Sequence, residues 1–248
     1  MNTLMKTTRR QNLIAAALVC ALASTTTISR AADALPSWNN GPAKQAIVDF
    51  VRATTDKSSP KFVPPEERIA TFDQDGTLWV EHPIYSQLVY CLDRVPAVVA
   101  AKPELKEVEP FKTVMSGDRE AIAKLTLPDF EKIAGATLTG MTTEQFQTEV
   151  KKWTAAAKDP RWKRAYTELT YEPMQEVLRY LRANGYKTFI VTGGGQDFVR
   201  VYSEKVYGIP PEQVVGSALG TTYGYDKDGW TVISMKNDWK RIFAFQSR

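Results

Sequence analysis

The chain has 248 residues, of which 43% are hydrophobic, 24% charged and 10% aromatic. This is a globular composition, and it excludes collagen-like, low-complexity and multi-span membrane classes. Of the formal charge of +4, Lys6, Arg9, Arg10 and Arg30 against Asp33 place +3 within residues 1–34, so no nucleic-acid partner is expected. Cys20, Cys91 and the single histidine His82 exclude a disulfide scaffold, a thiolate zinc site and a histidine cluster. Carboxylates, hydroxyls, lysines or a borrowed metal must carry the chemistry.

Residues 1–12 are basic, residues 13–23 form an apolar stretch too short to span a bilayer, and Ala32-Asp33-Ala34 is an A-x-A cleavage pattern. Residues 1–34 are therefore expected to be a signal peptide. The mature protein is then exported, to the periplasm or beyond, by the Sec or the twin-arginine route, the latter suggested by Arg9-Arg10. Cleavage would leave Cys91 alone, without a disulfide and without a membrane anchor.

Downstream, Pro42 opens a helical pattern with Ala46, Ile47, Phe50 and Val51 on one face, and the proline-rich stretch 58–67 is a connector. Residues 68–72 form a short apolar run, expected to be a buried strand feeding the turn Asp73-Gln74-Asp75-Gly76-Thr77. The region 80–168 has helix signals and no clear strand. Thr142 and Gln145 make a capping-box pattern ahead of Phe146, Val150, Trp153 and Ala157, and 104–125 and 129–134 are weaker helix candidates. Pro173, then Met174, Val177, Leu178 and Leu181, then Gly185 define a helix. Residues 187–191 form a second buried strand that stops at Thr192-Gly193-Gly194-Gly195, and helical spacing resumes over 196–207. Residues 213–217 are a third strand, and 223–234 read as a hairpin turning at 226–229. The alternation predicts an α/β fold, a doubly wound and mostly parallel sheet with its site at the strands' carboxyl ends. The core comprises residues 35–79 and 169–248, and a helical cap at 80–168 is inserted after the first strand's loop.

Two carboxylates two residues apart at a strand end start on the same face, and Gly76 lets the backbone bend around an anion. Neither is cheaply desolvated without a cation or hydrogen-bond donors, and a hard cation such as Mg²⁺ suits their oxygens. One carboxylate can then attack phosphorus while the other protonates the leaving oxygen and activates water. Thr192 and the backbone N–H groups of Gly193 and Gly194 are placed to hold phosphate oxygens. An EF-hand fails because Gly76 comes too early and no ligand series follows. Glu81 and His82 follow the loop closely, with His82 read as an interface residue rather than a catalytic one. Trp79, Trp153 and Trp162 read as packing.

Phe72-Asp73-Gln74-Asp75-Gly76-Thr77-Leu78 resembles motif I of the haloacid dehalogenase-like hydrolases, and Val191-Thr192-Gly193-Gly194 is similar to motif II of the phosphoserine phosphatase-like branch. The resemblance implies Asp73 as nucleophile and Mg²⁺ ligand. It implies Asp75 as general acid/base and as a Mg²⁺ ligand through its carbonyl, with Thr192 and Gly193 binding phosphate. It also implies a Rossmann-like core with a helical cap, and a small phosphorylated substrate. Dehalogenases of the family lack an acid where Asp75 stands, so its presence favours phosphate-ester hydrolysis. The family further uses a motif III lysine, for which Lys236 and Lys240 are candidates, and an acidic motif IV loop after a strand expected at 242–245. Only Gln246, Ser247 and Arg248 follow that strand. The expectation is therefore an exported phosphomonoesterase on a truncated or frameshifted chain, or a non-catalytic relative that binds phospho-ligands.

Overall fold

The computed structural model describes residues 33–225 and the backbone of a strand at 231–235. Residues 1–32 of the signal peptide expected at 1–34, the turn at 226–229, Lys236, Lys240 and the strand candidate at 242–245 lie outside the described residues. The described residues from Leu35 onward form one compact unit. No helix among the described residues is long and apolar enough to cross a membrane.

The unit is an α/β fold built on three parallel strands, β1 (Ile69–Phe72), β2 (Lys187–Gly195) and β3 (Val214–Ser217), in that order across the sheet. Ile69 pairs with Lys187, Phe72 with Ile190, and Ile190 with Val214. In a parallel ladder paired residues face the same side. Ile190 and Val214 are fully buried, whereas Ile69, Val191 and Val215 are 57%, 47% and 52% exposed. The apolar runs read as strands covered on both faces are therefore buried on one face only. The described helices pack on the side of Phe72, Ile190 and Val214, and the other face stays largely exposed among the described residues.

Helix α1 (Pro42–Thr55) starts at a proline, where no N–H is lost to the helix. Its inward face is Ile47, Val48, Val51 and Thr54, and Ala46 and Phe50 turn outward. The buried stripe is displaced by about one position from the expected one, because the partner surface (Leu35, Val177, Leu181 and Tyr186) lies on the Val48–Val51 side. Phe50 rests instead at the rim, its ring 6.2 Å from that of Tyr186.

Between β1 and β2 the chain forms α2 (Ser86–Ala101), α3 (Phe111–Ser116), α4 (Arg119–Ile122), α5 (Leu127–Leu138) and α6 (Thr143–Ala156). No sequence signal singles out α2, because Pro96 lies inside it and its valines are weak helix formers, yet Tyr90, Cys91, Val95, Val98 and Val99 bury its inner face. The single helix expected at 104–125 is broken after α3 at Gly117, which has φ +71°. α5 begins earlier than expected, capped by the Thr126 hydroxyl bonded to Asp129. The predicted cap on α6 is present: the Gln145 N–H donates to Thr142 Oγ1 at 3.1 Å, and the Thr142 N–H donates to Gln145 Oε1 at 2.9 Å.

α7 (Glu172–Ala183) matches its prediction, ending at Asn184 before Gly185 with φ +80°. The helix expected over 196–207 is split into α8 (Gln196–Arg200) and α9 (Ser203–Tyr207). β4 (Thr221–Tyr225) pairs antiparallel with β5 (Thr231–Met235), as the hairpin reading required. Trp79 is fully buried and Trp153 stacks on Tyr166, but Trp162 is 53% exposed beneath Arg161 and packs in no core.

Leu178 on α7 is fully buried in the main core cluster, among residues of the insertion and the sheet. Leu178→Ala should cost about 2–5 kcal/mol of unfolding free energy, measured by urea denaturation with an unchanged m-value.

Candidate active site

β1 ends at Phe72, and the next five residues wrap tightly. The Leu78 and Trp79 N–H groups both donate to the Gln74 carbonyl, at 2.9 and 3.0 Å, and the Gly76 N–H donates to the Trp79 carbonyl at 2.8 Å. Gly76 turns at φ +79°, a region costly for any residue with a Cβ. Gln74 is 2% exposed and points into the core, where its Nε2 donates to the hydroxyls of Tyr202 and Tyr207 at 3.2 and 3.1 Å. Trp79 packs edge-on against Tyr202, ring centres 4.6 Å apart. With Gln74 directed inward, its two neighbours are directed out. Asp73 is exposed and Asp75 half-buried.

Burial is the first cause that pushes the Asp75 carboxyl up to about 6; the negative charges of Asp73 and then Glu81 add to it. Asp75 is therefore poised to carry a proton near neutrality while its neighbour Asp73 faces solvent. Glu81 is held below the usual carboxylate range, chiefly by the Tyr171 hydroxyl, which donates to it at 2.7 Å. His82 lies on the surface, its side chain 83% exposed and its Nε2 3.5 Å from Glu81, so it is a surface residue rather than one buried at an interface.

Motif II lies beside this loop. β2 does not stop at Thr192 but runs on to Gly195, with an irregular register against β3 between Val191 and Gly195. The Gly194 N–H donates to Thr192 Oγ1 at 3.1 Å, the Gly195 N–H to Gln87 Oε1 at 2.8 Å, and the Gly193 carbonyl accepts from Ser217 Oγ at 2.8 Å. The glycine N–H groups expected to be open to phosphate are thus partly occupied from within. Of the two expected donors, Gly193 and Gly194, the Gly194 N–H could serve only when released by Thr192. Thr192 itself accepts from Gly194, so its own O–H is left to donate. Gly216 on β3 is required by close approach, since a Cβ there would stand 2.7 Å from the Gly194 carbonyl oxygen.

The two predicted segments meet. A Cβ built on Gly194 would lie 3.4 Å from Thr192 Oγ1 and 4.0 Å from Asp75 Oδ2. Sequence reasoning did not single out Gln87, Tyr171 or Asp197. Gln87 and Asp197 line a small, solvent-open cleft with Leu138, Phe146, Phe198 and Leu219. Burial raises the Asp197 carboxyl, an effect partly offset by Arg200. A glutamine in the first turn of an unrecognised helix carries no sequence signal for such a role.

Among the described residues no group of three or more His, Cys, Asp or Glu is placed to enclose a metal ion. Asp73 and Asp75 still fit a hard cation, because both charges acting on Asp75 are negative. Mg²⁺ binds through one or two carboxylates and completes its shell with water and substrate oxygens.

Residues 67–223 match the family model of the haloacid dehalogenase-like hydrolases. The chain belongs to this family. No curated protein matches the sequence. Among solved structures, a conserved protein of unknown function from Anaerococcus prevotii is similar at 14% identity, with a TM-score of 0.45, over 79% of this chain and 72% of that one. A phosphoserine phosphohydrolase-like protein from Francisella tularensis is similar at 19% identity, with a TM-score of 0.35, over 73% of this chain and 69% of that one. Cytosolic 5'-nucleotidase IIIB bound to cytidine is similar at 13% identity, with a TM-score of 0.37, over 78% of this chain and 58% of that one. The family match spans both loops of this haloacid dehalogenase-like site, from before Asp73 to beyond Gly195.

The left-handed turn at Gly76 brings Asp75 to the site. Gly76→Ala should destabilise the protein by about 1–2 kcal/mol in urea denaturation, from backbone strain rather than crowding. The nearest atom to the new Cβ is Glu81 Cδ at 3.5 Å, an ordinary contact.

Proposed function

We propose that this chain is an exported, Mg²⁺-dependent phosphatase that hydrolyses small phosphomonoesters through an aspartyl-phosphate on Asp73. The reading is carried by the meeting of Asp75 and Thr192, two groups far apart in sequence, within about 4 Å of one point on Gly194. The basic, apolar and A-x-A segments of residues 1–34 support export. The helical insertion at 80–168 acts as a cap over the site, and Gln87, Leu138 and Phe146 give it a wall of the cleft.

In the first step an Asp73 oxygen attacks phosphorus. The ester P–O bond breaks, its electron pair leaves with the alcohol oxygen, and that oxygen takes the proton of Asp75. In the second step Asp75, now a carboxylate, takes a proton from water. The water oxygen bonds to phosphorus and the P–O bond to Asp73 breaks, releasing phosphate and the free Asp73 carboxylate. A carboxyl raised to about 6 suits both steps, since it gains and gives a proton near neutral pH. Thr192 Oγ–H is positioned to hold a phosphoryl oxygen throughout. Bound by Asp73 and the Asp75 carbonyl, Mg²⁺ would offset charge between the nucleophile and the phosphoryl oxygens.

The test is hydrolysis of an aryl phosphate by the purified protein. Activity should require Mg²⁺, disappear on chelation and return when Mg²⁺ is restored. Asp73→Asn should abolish turnover, and Asp75→Asn should lower kcat by roughly 10²–10⁴-fold, the usual worth of a general acid/base. Turnover that survives Asp73→Asn overturns the mechanism. Phosphate binding with no hydrolysis by the unsubstituted protein leaves a phospho-ligand-binding protein in its place.

A further inference from the structure

Gln87 lies in the first turn of α2, far in sequence from Gly195, yet its carboxamide is laid directly on the glycine loop. Its Oε1 accepts the Gly195 N–H at 2.8 Å. A Cβ at Gly195 would stand 2.6 Å from Gln87 Nε2, and one at Gly194 would stand 3.4 Å from Gln87 Oε1. It is the glycine at 195 that allows the amide to approach this closely; the separation at 194 is an ordinary contact.

This contact fixes which end of the carboxamide faces the ligand. A backbone N–H can only donate, so the atom that meets it must be the oxygen. The NH₂ end is then the free end. Among the described residues Nε2 meets no acceptor, and the side chain lines the cleft beside Asp197 and Phe146. An anchored amide with its donors turned to a cleft is a pre-organised hydrogen-bond donor, whose orientation costs nothing when a ligand arrives. The Gly194 position is approached by the anchored Gln87 Oε1, by Thr192 Oγ1 and by Asp75 Oδ2, so the carboxamide lies beside both motif loops.

We propose that Gln87 is a ligand-binding residue of the site, its Nε2 donating to a phosphoryl oxygen opposite the Thr192 hydroxyl while its Oε1 stays anchored on Gly195. The proposal rests on the reading of this cleft as a phosphate site. It gives the insertion a direct hand in holding the phosphoryl group, in addition to walling the leaving group.

Two substitutions separate donor from anchor. Gln87→Glu keeps an acceptor for the Gly195 N–H and loses the donor. Gln87→Leu loses both without adding charge. Binding of inorganic phosphate to the full chain in the presence of Mg²⁺, followed by calorimetry, should weaken about tenfold or more in each variant, as for loss of a hydrogen bond to a charged group. KM for an aryl phosphate should rise by a similar factor, with a smaller change in kcat. If Gln87→Glu binds phosphate as the unsubstituted protein does, or Gln87→Leu does, the side chain is only a tie to Gly195 and the proposal fails. A protein that hydrolyses the ester with KM unchanged in both variants likewise overturns the role of Gln87 and leaves the phosphatase reading standing. A protein that binds phosphate without hydrolysing it removes the phosphatase reading, and the calorimetry still decides on Gln87. Failure of the unsubstituted protein to bind phosphate overturns both. Thermal unfolding of each variant identifies a misfolded one, and the remaining variant then decides the outcome.

Discussion

Two carboxylates separated by one residue can share a cleft only if the residue between them is driven the other way. In this protein that residue is Gln74, and the site depends on its burial. An amide in a core must find partners, and Gln74 finds two hydroxyls, those of Tyr202 and Tyr207, which belong to the segment following motif II. The hydrogen bonds that carry Gln74 inward therefore also tie the Asp73–Asp75 loop to the second half of the site. Trp79, closing the same loop and packed on Tyr202, applies the same constraint from the apolar side.

The electrostatics follow from that geometry. Turning Asp73 and Asp75 to one side places like charges together, and Glu81 adds a third nearby. Such an arrangement persists only where one member takes up a proton or a cation is admitted. Asp75, the more enclosed of the two aspartates, is the one whose carboxyl is raised, to about 6, while Asp73 stays exposed. The asymmetry between the two carboxylates thus needs no difference in residue type. It comes from which of two aspartates the loop buries.

The positions of the two candidate loops were legible in the sequence because strand periodicity and glycine punctuation are local signals. Asp73, Asp75, Gly76 and Thr192 stand where those signals put them, as do α7, the hairpin and the Thr142–Gln145 cap. What was not legible depended on packing. α2 hides behind Pro96 and a valine-rich run, and it is held by its buried face rather than by propensity. The stripe on α1 shifted because its partner surface, not its own sequence, sets which residues turn inward. The strands read as buried on both sides because apolar runs report hydrophobicity and not what covers them; Ile69, Val191 and Val215 are the result.

The glycine loop shows the same limit at the level of single atoms. A run of glycines after a strand suggests open N–H groups waiting for an anion, but a backbone donor left unpaired in a half-buried loop is costly. The fold relieves the cost internally by giving Gly194 to Thr192 and Gly195 to Gln87. Both acceptors are groups that can also donate: a hydroxyl with its proton free and an amide with its NH₂ end free. At these two glycines donor capacity for an anion passes from the backbone to two side chains, one on the strand and one on the insertion. A ligand held by both would be gripped by elements on opposite walls of the cleft. Positioning the phosphoryl group and positioning the insertion over it would then be one event.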